Sequence, residues 1–91
     1  MPNKIRCAHI LVKTQQEAIN LLERIKKGED FGKLAQDNSL DGSRRRGGDL
    51  GYFGRGVMVR PFEQAAFSLE VNKVSEPVKS EFGWHLIKRL G

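Results

Sequence analysis

The spacing of apolar and polar positions changes several times along the chain, and each change marks an element. Between Lys4 and Lys13, Ile5, Cys7, His9 and Leu11 alternate with Arg6, Ala8, Ile10 and Val12. Both alternating sets are mostly apolar, the pattern of a central strand covered on both faces. Thr14-Gln15-Gln16-Glu17 then fits a capping box, with Thr14 as N-cap and Glu17 three residues on. Behind it, Ala18, Leu21, Leu22 and Ile25 recur at the spacing of one helix face. Lys26 and Lys27 suit the negative C-terminal end of that helix, and Gly28 suits the left-handed position that closes it. Asp30 can cap a second helix with Phe31, Leu34 and Ala35 on one face, slightly weakened by Gly32.

The second half is less periodic. Ser39–Gly48 is polar, basic and glycine-containing, and reads as a loop with room for one short helical turn. Asp49–Phe53 reads as a short strand. Pro61 suits the first turn of a third helix, which places Phe62, Ala65, Ala66 and Leu69 on one face. Asn72 can take a positive φ after it. Val78–Ser80 and Gly83–Leu90 read as a closing hairpin around Glu81 and Phe82. The order is strand, helices, strand, helix, strand, strand. It predicts one α+β domain over residues 1–91 with a four-stranded, mainly antiparallel sheet surrounded by helices.

The stretch Gly47–Phe62 breaks every period. Gly47, Gly48, Gly51, Gly54 and Gly56 surround Leu50, Phe53, Met58 and Phe62. Glycines this dense supply sharp turns and close backbone approach. Large apolar groups on such a loop either cover a core or line a pocket, and the pattern alone leaves both open.

Composition narrows the class. With 91 residues, 38% hydrophobic and 30% charged, the chain reads as a soluble globular domain with one modest core. Cys7 is the only cysteine, which excludes an internal disulfide; inside an apolar strand it reads as a small buried hydrophobe. No apolar run approaches the ~20 residues of a membrane span. Met1-Pro2-Asn3-Lys4 leads into the first strand without a signal-peptide core, so a native start at Met1 predicts a cytoplasmic protein. The net charge of +5 is partly local, in Arg44, Arg45 and Arg46. That run fits weak attraction of acidic partners or anionic surfaces, or simply a solvated loop. Exposed aromatics interleaved with basic residues are missing, which argues against a dedicated nucleic-acid binder.

Two histidines carry the candidate chemistry. His9 and His85 both fall in predicted strands, and pairing of the first and last strands at the sheet centre would bring their rings to one face. With no third obvious ligand they make a poor zinc site, and no metal is expected. A buried pair that satisfies its own hydrogen bonds explains them equally well.

Four blocks then occur in order: His9-Ile10-Leu11-Val12, Gly47-Gly48-Asp49-Leu50-Gly51-Tyr52-Phe53, Pro61-Phe62-Glu63-Gln64-Ala65-Ala66-Phe67 and Phe82-Gly83-Trp84-His85-Leu86-Ile87. Together they resemble a parvulin-type peptidyl-prolyl cis/trans isomerase over nearly the whole chain. The resemblance implies a four-stranded sheet wrapped by helices, and a reaction that needs no cofactor. It implies facing histidines at His9 and His85, with Ser80 in their network and Asp41 as an electronegative neighbour of the twisting amide. It implies a proline pocket of Leu50, Met58 and Phe62, with Phe53 as a further aromatic nearby. Phe82 stands where phosphate-directed relatives have a serine; its ring can cover the bond and exclude water but cannot donate a hydrogen bond. Phosphate-directed relatives carry a basic loop between the first strand and first helix. Here Lys13 matches one basic position, but Thr14 already caps the helix, and Val59 replaces a glutamine those relatives often have. The expected substrates are therefore Xaa-Pro bonds in unphosphorylated, unfolded or flexible segments, handled by a monomer without covalent chemistry. A proline-peptide binder or chaperone with little catalysis is the competing reading.

Overall fold

The computed structural model describes residues 3–91. The expectation about how the chain starts concerns Met1 and Pro2, which lie outside the described residues.

The elements are β1 (Lys4–Val12), α1 (Gln15–Lys26), α2 (Phe31–Asn38), a 3-10 turn (Gly42–Arg46), β2 (Asp49–Gly54), α3 (Arg60–Ser68), β3 (Val78–Ser80) and β4 (Gly83–Arg89). The sheet runs β2-β1-β4-β3, and every neighbouring pair is antiparallel. The α+β order expected from the pattern is the order found, with the first and last strands paired at the centre.

Most boundaries follow the local chemistry. The Glu17 N–H donates to Thr14 Oγ1 at 3.1 Å, and the Lys33 N–H to Asp30 Oδ2 at 2.9 Å, so both helices start on the residues that can cap them. The Thr14 cap differs from a full capping box, because the Glu17 carboxylate takes the Thr14 hydroxyl rather than its backbone N–H. Gly28 and Asn72 have the positive φ expected of them, +102° and +72°. The run of three arginines forms the 3-10 turn inside the expected loop. Leu69 lies just beyond α3, and the Leu90 N–H leaves β4 to donate to the Arg6 carbonyl at 2.7 Å.

Alternation along β1 divides the core in two. Ala8, Ile10 and Val12 face α1 and α2, where they meet Ala18, Leu21, Leu22, Phe31 and Leu34. Ile5 and Cys7 face the other way and pack with Phe53, Phe62, Ala66 and Ile87 under α3. His9 continues this second row. On β4, His85 stands two residues from Ile87 and so on the same face. In register His9 lies opposite Ile87 and Leu11 opposite His85, which makes the two histidines diagonal neighbours across the central strand pair. Burial pushes the Cys7 thiol up to about 11, so it is a neutral core group.

Candidate active site

Each polar group of the site is held by its own element. His9 is fixed by β1, whose backbone N–H at that residue donates to the Gly48 carbonyl at 3.0 Å. Gly48 has φ +84°, and a Cβ there would overlap the His9 carbonyl oxygen, so only glycine lets the loop come this close behind the ring. Asp41 begins the 3-10 turn by accepting the Ser43 N–H at 2.9 Å. Its approach is set one step earlier. Ser39 Oγ accepts the Leu11 N–H at 3.0 Å, and the Leu11 carbonyl accepts the Leu40 N–H at 2.8 Å, stitching the end of α2 to β1.

The two imidazoles stack, with centroids 5.2 Å apart and planes 18° from parallel, and their Nδ1 atoms are 3.0 Å apart. Phe62 stands edge-on to both, at 5.4 Å from His9 and 5.3 Å from His85. On the outer side of His85, Nε2 is 2.6 Å from Ser80 Oγ, which also accepts the Phe82 N–H at 3.2 Å. On the outer side of His9, Nε2 lies 3.2 Å from Asp41 Oδ2, close but without the alignment of a full hydrogen bond.

These contacts admit two proton orders, and one of them loses. Burial pushes both histidines down, His85 to about 4 with the neighbouring His9 adding to the effect, so both rings are neutral near pH 7. Burial pushes the Asp41 carboxyl up, but hydrogen bonds from Ser43 and the contact with His9 outweigh it and hold the group at about 2. Asp41 is therefore an acceptor only. If His85 donated to Ser80, its Nδ1 would need the proton of His9 Nδ1. The bare lone pair of His9 Nε2 would then face a carboxylate. The reverse order leaves no such conflict: Phe82 N–H to Ser80, Ser80 O–H to His85 Nε2, His85 Nδ1–H to His9 Nδ1, His9 Nε2–H toward Asp41. The site is thus a row of neutral dipoles ending on one anion.

Above the rings lies a cavity of about 310 Å³. Leu50, Met58 and Phe62, the trio that the parvulin resemblance points to, line it together with His9, Asp41 and His85. Phe82 stands on its rim and is 61% exposed. Two residues named from the resemblance stand behind the cavity lining. Phe53 is buried behind Phe62, at 6.1 Å between centroids, and supports the pocket without lining it. Ser80 lies behind His85 and reaches the cavity only through that ring. Leu11 and Val57 also line the cavity. The strand period puts Leu11 on the His9 face, which was the available signal; Val57 sits on an irregular loop that gives none. Among the described residues, no group of three or more His, Cys, Asp and Glu is placed to hold a metal ion, and no helix is long and apolar enough to cross a membrane.

The family model for the PPIC-type PPIase domain matches residues 1–90. The chain belongs to the parvulin family. Its curated relatives include a foldase protein PrsA of Geobacillus kaustophilus, 54% identical over 86 residues, which are 93% of this chain and 31% of that protein. A parvulin-like PPIase of Rickettsia felis is 50% identical over 91 residues, 96% of this chain and 32% of that protein. The parvulin domain thus spans about a third of the length of these relatives. Among solved structures, the parvulin NmPin of Nitrosopumilus maritimus is 59% identical with a TM-score of 0.91, covering 100% of this chain and 99% of that one. Pin from the psychrophilic archaeon Cenarchaeum symbiosum is 66% identical with a TM-score of 0.88, covering 100% and 95%.

Proposed function

We propose that this parvulin chain is a peptidyl-prolyl cis/trans isomerase acting on Xaa-Pro bonds in unphosphorylated, flexible or unfolded protein segments. The observation that carries the reading is an apolar cavity whose polar wall is one carboxylate and a neutral histidine pair. Leu50, Met58 and Phe62 enclose a pyrrolidine ring without offering it hydrogen bonds. Its volume of about 310 Å³ lies at the small end of ligand pockets, which run from about 300 to 1,000 Å³.

The chemistry follows from the amide. Resonance places negative charge on the carbonyl oxygen of the planar form and creates a barrier of ~18–20 kcal/mol. At the twisted transition state that charge is largely gone. A carboxylate beside the carbonyl repels the planar forms more than the twisted one, which is the differential binding that accelerates a reaction. Asp41 supplies the carboxylate, and the His9–His85–Ser80 row holds it there without offering a proton to the carbonyl. Apolar walls keep water from stabilising the planar amide. A thousandfold acceleration needs only about 4 kcal/mol, and no bond is made or broken. His9, Asp41, His85 and Ser80 act electrostatically and by positioning; Leu50, Met58, Phe62 and the rim residue Phe82 hold the peptide.

Preference for unphosphorylated segments rests on the short β1–α1 connection, where Thr14 caps α1 at once and leaves no basic loop. A groove lined by Leu40, Asp41, Gly42 and Arg44–Arg46 adjoins the cavity through Asp41. Its arginines favour clients with acidic residues near the proline, a preference that salt will screen.

The test is cis/trans exchange measured by NMR on a short plain Xaa-Pro peptide and its phosphoserine twin, with catalytic amounts of protein. Faster exchange of the plain peptide is expected. Acceleration of the phosphorylated twin alone overturns the specificity, and shift changes without faster exchange leave a proline-peptide binder.

A further inference from the structure

We propose that Glu63 is a positioning residue of the proline pocket, clamping the β2–α3 connection so that Val57 and Met58 form a wall before the client arrives. The inference rests on the pocket reading above.

Glu63 lies in the first turn of α3 and does not line the cavity. Its side chain nevertheless holds one end of the wall, with Oε1 accepting the Gly56 N–H at 2.6 Å, while the first backbone bond of α3, from the Glu63 N–H to the Val59 carbonyl at 3.0 Å, fixes the other. Val57 and Met58 lie between these two points, and both line the cavity. The same carboxylate faces Arg55, with Oε2 3.8 Å from Nη1. The Arg55 guanidinium lies 4.3 Å over the Phe67 ring. Phe67 packs edge-on against Phe53 at 6.0 Å, and Phe53 against Phe62 at 6.1 Å. One run of contacts therefore joins the loop wall to the aromatic floor of the pocket.

The loop needs such a hold. Gly56 has φ +86° with nothing within 4 Å of a Cβ built there, so sterics alone do not confine it. Met58 is flexible and adapts to what it touches. Without the clamp, a client ring must order Val57 and Met58 as it binds, and that conformational entropy appears as weaker binding.

The decisive comparison is Glu63→Ala against Glu63→Gln in the full chain, with a short unphosphorylated Leu-Pro peptide as probe. KM and kcat are measured separately by exchange NMR, alongside hydrogen exchange at the Gly56 amide. Glu63→Ala is expected to raise KM about three- to tenfold, the worth of one hydrogen bond, with kcat within about twofold and faster exchange at Gly56. Glu63→Gln keeps an oxygen for the Gly56 N–H and restores most of the affinity, a rescue that general destabilisation would not give. Unchanged KM with faster Gly56 exchange overturns the proposal, as does a joint loss of kcat and KM tracking the melting temperature. If Glu63→Ala fails to fold, Arg55→Gln at the exposed end of the clamp carries the test: KM rises about twofold, and an unchanged KM overturns it. A wild-type chain that binds the peptide without speeding exchange removes only the isomerase reading, and the clamp is then read from the peptide Kd. A wild-type chain that does not bind the peptide at all overturns both.

Discussion

Acid should destabilise this domain through a histidine before it reaches the carboxylates. His85 is 3% exposed, and burial together with the adjacent His9 ring lowers it from 6.5 to about 4. The protonated form is therefore favoured in the unfolded chain. The stability tied to the neutral ring is complete above pH 6.5 and is lost as pH falls toward 4. At ~1.4 kcal/mol per pH unit, the full displacement corresponds to about 3 kcal/mol, of which about 2 kcal/mol disappears between pH 7 and pH 5. His9 is displaced in the same direction and adds to the loss. Asp41 acts in a separate window: its carboxyl is held at about 2, so its contribution is present above 3.8 and fades only below that. A small domain holds roughly 5–15 kcal/mol in all, so 2 kcal/mol is easily measured. The assay is urea unfolding followed by Trp84 fluorescence at half-unit steps from pH 7.5 to 4.5, in parallel with a His85→Gln variant. The wild-type free energy should fall smoothly below pH 6.5, and the variant should fall less. A wild-type curve flat down to pH 5, with both imidazoles titrating near 6.5, would refute the buried neutral pair.

Three further outcomes follow from the same geometry. Gly48→Ala forces a left-handed backbone and a clash with the His9 carbonyl, and should cost about 3 kcal/mol or more in denaturant unfolding. Asp41→Asn keeps the shape but removes the charge that repels the bound planar amide, and should lower kcat about tenfold together with KM; a kcat within twofold of wild type would remove the electrostatic role. Nitrogen-15 NMR at pH 7 should find the proton on Nε2 of His9 and on Nδ1 of His85, and the opposite assignment would break the dipole row.

Element order and the two-sided burial of β1 were legible in the chain because period and caps carry them: Thr14, Asp30, Gly28 and Asn72 do what their chemistry favours. The meeting of His9 and His85 followed once the first and last strands paired, because strand period places both on the α3 face. What was not legible lies where no period runs. Phe53 and Phe62 look alike in the glycine-rich stretch, yet one is support and the other wall; the difference is set by packing between β2 and α3. Glu63 reads as an ordinary helix-start acid, and its reach back to Gly56 depends on a loop path that no short-range rule supplies. Arg6 and Asp49 likewise pair across 43 residues, through the β1–β2 register.

The two imidazoles come from strands whose partners stand 76 residues apart in sequence. Their contact is made by β1 and β4, so none of the shorter hairpins contains the site. During synthesis, at ~5–20 residues per second, β1 waits seconds for its histidine's partner to emerge. The His9–His85 contact therefore forms only when β4 inserts beside β1. A nascent chain short of β4 lacks the histidine pair and the cavity wall it forms, however much helix it has already formed.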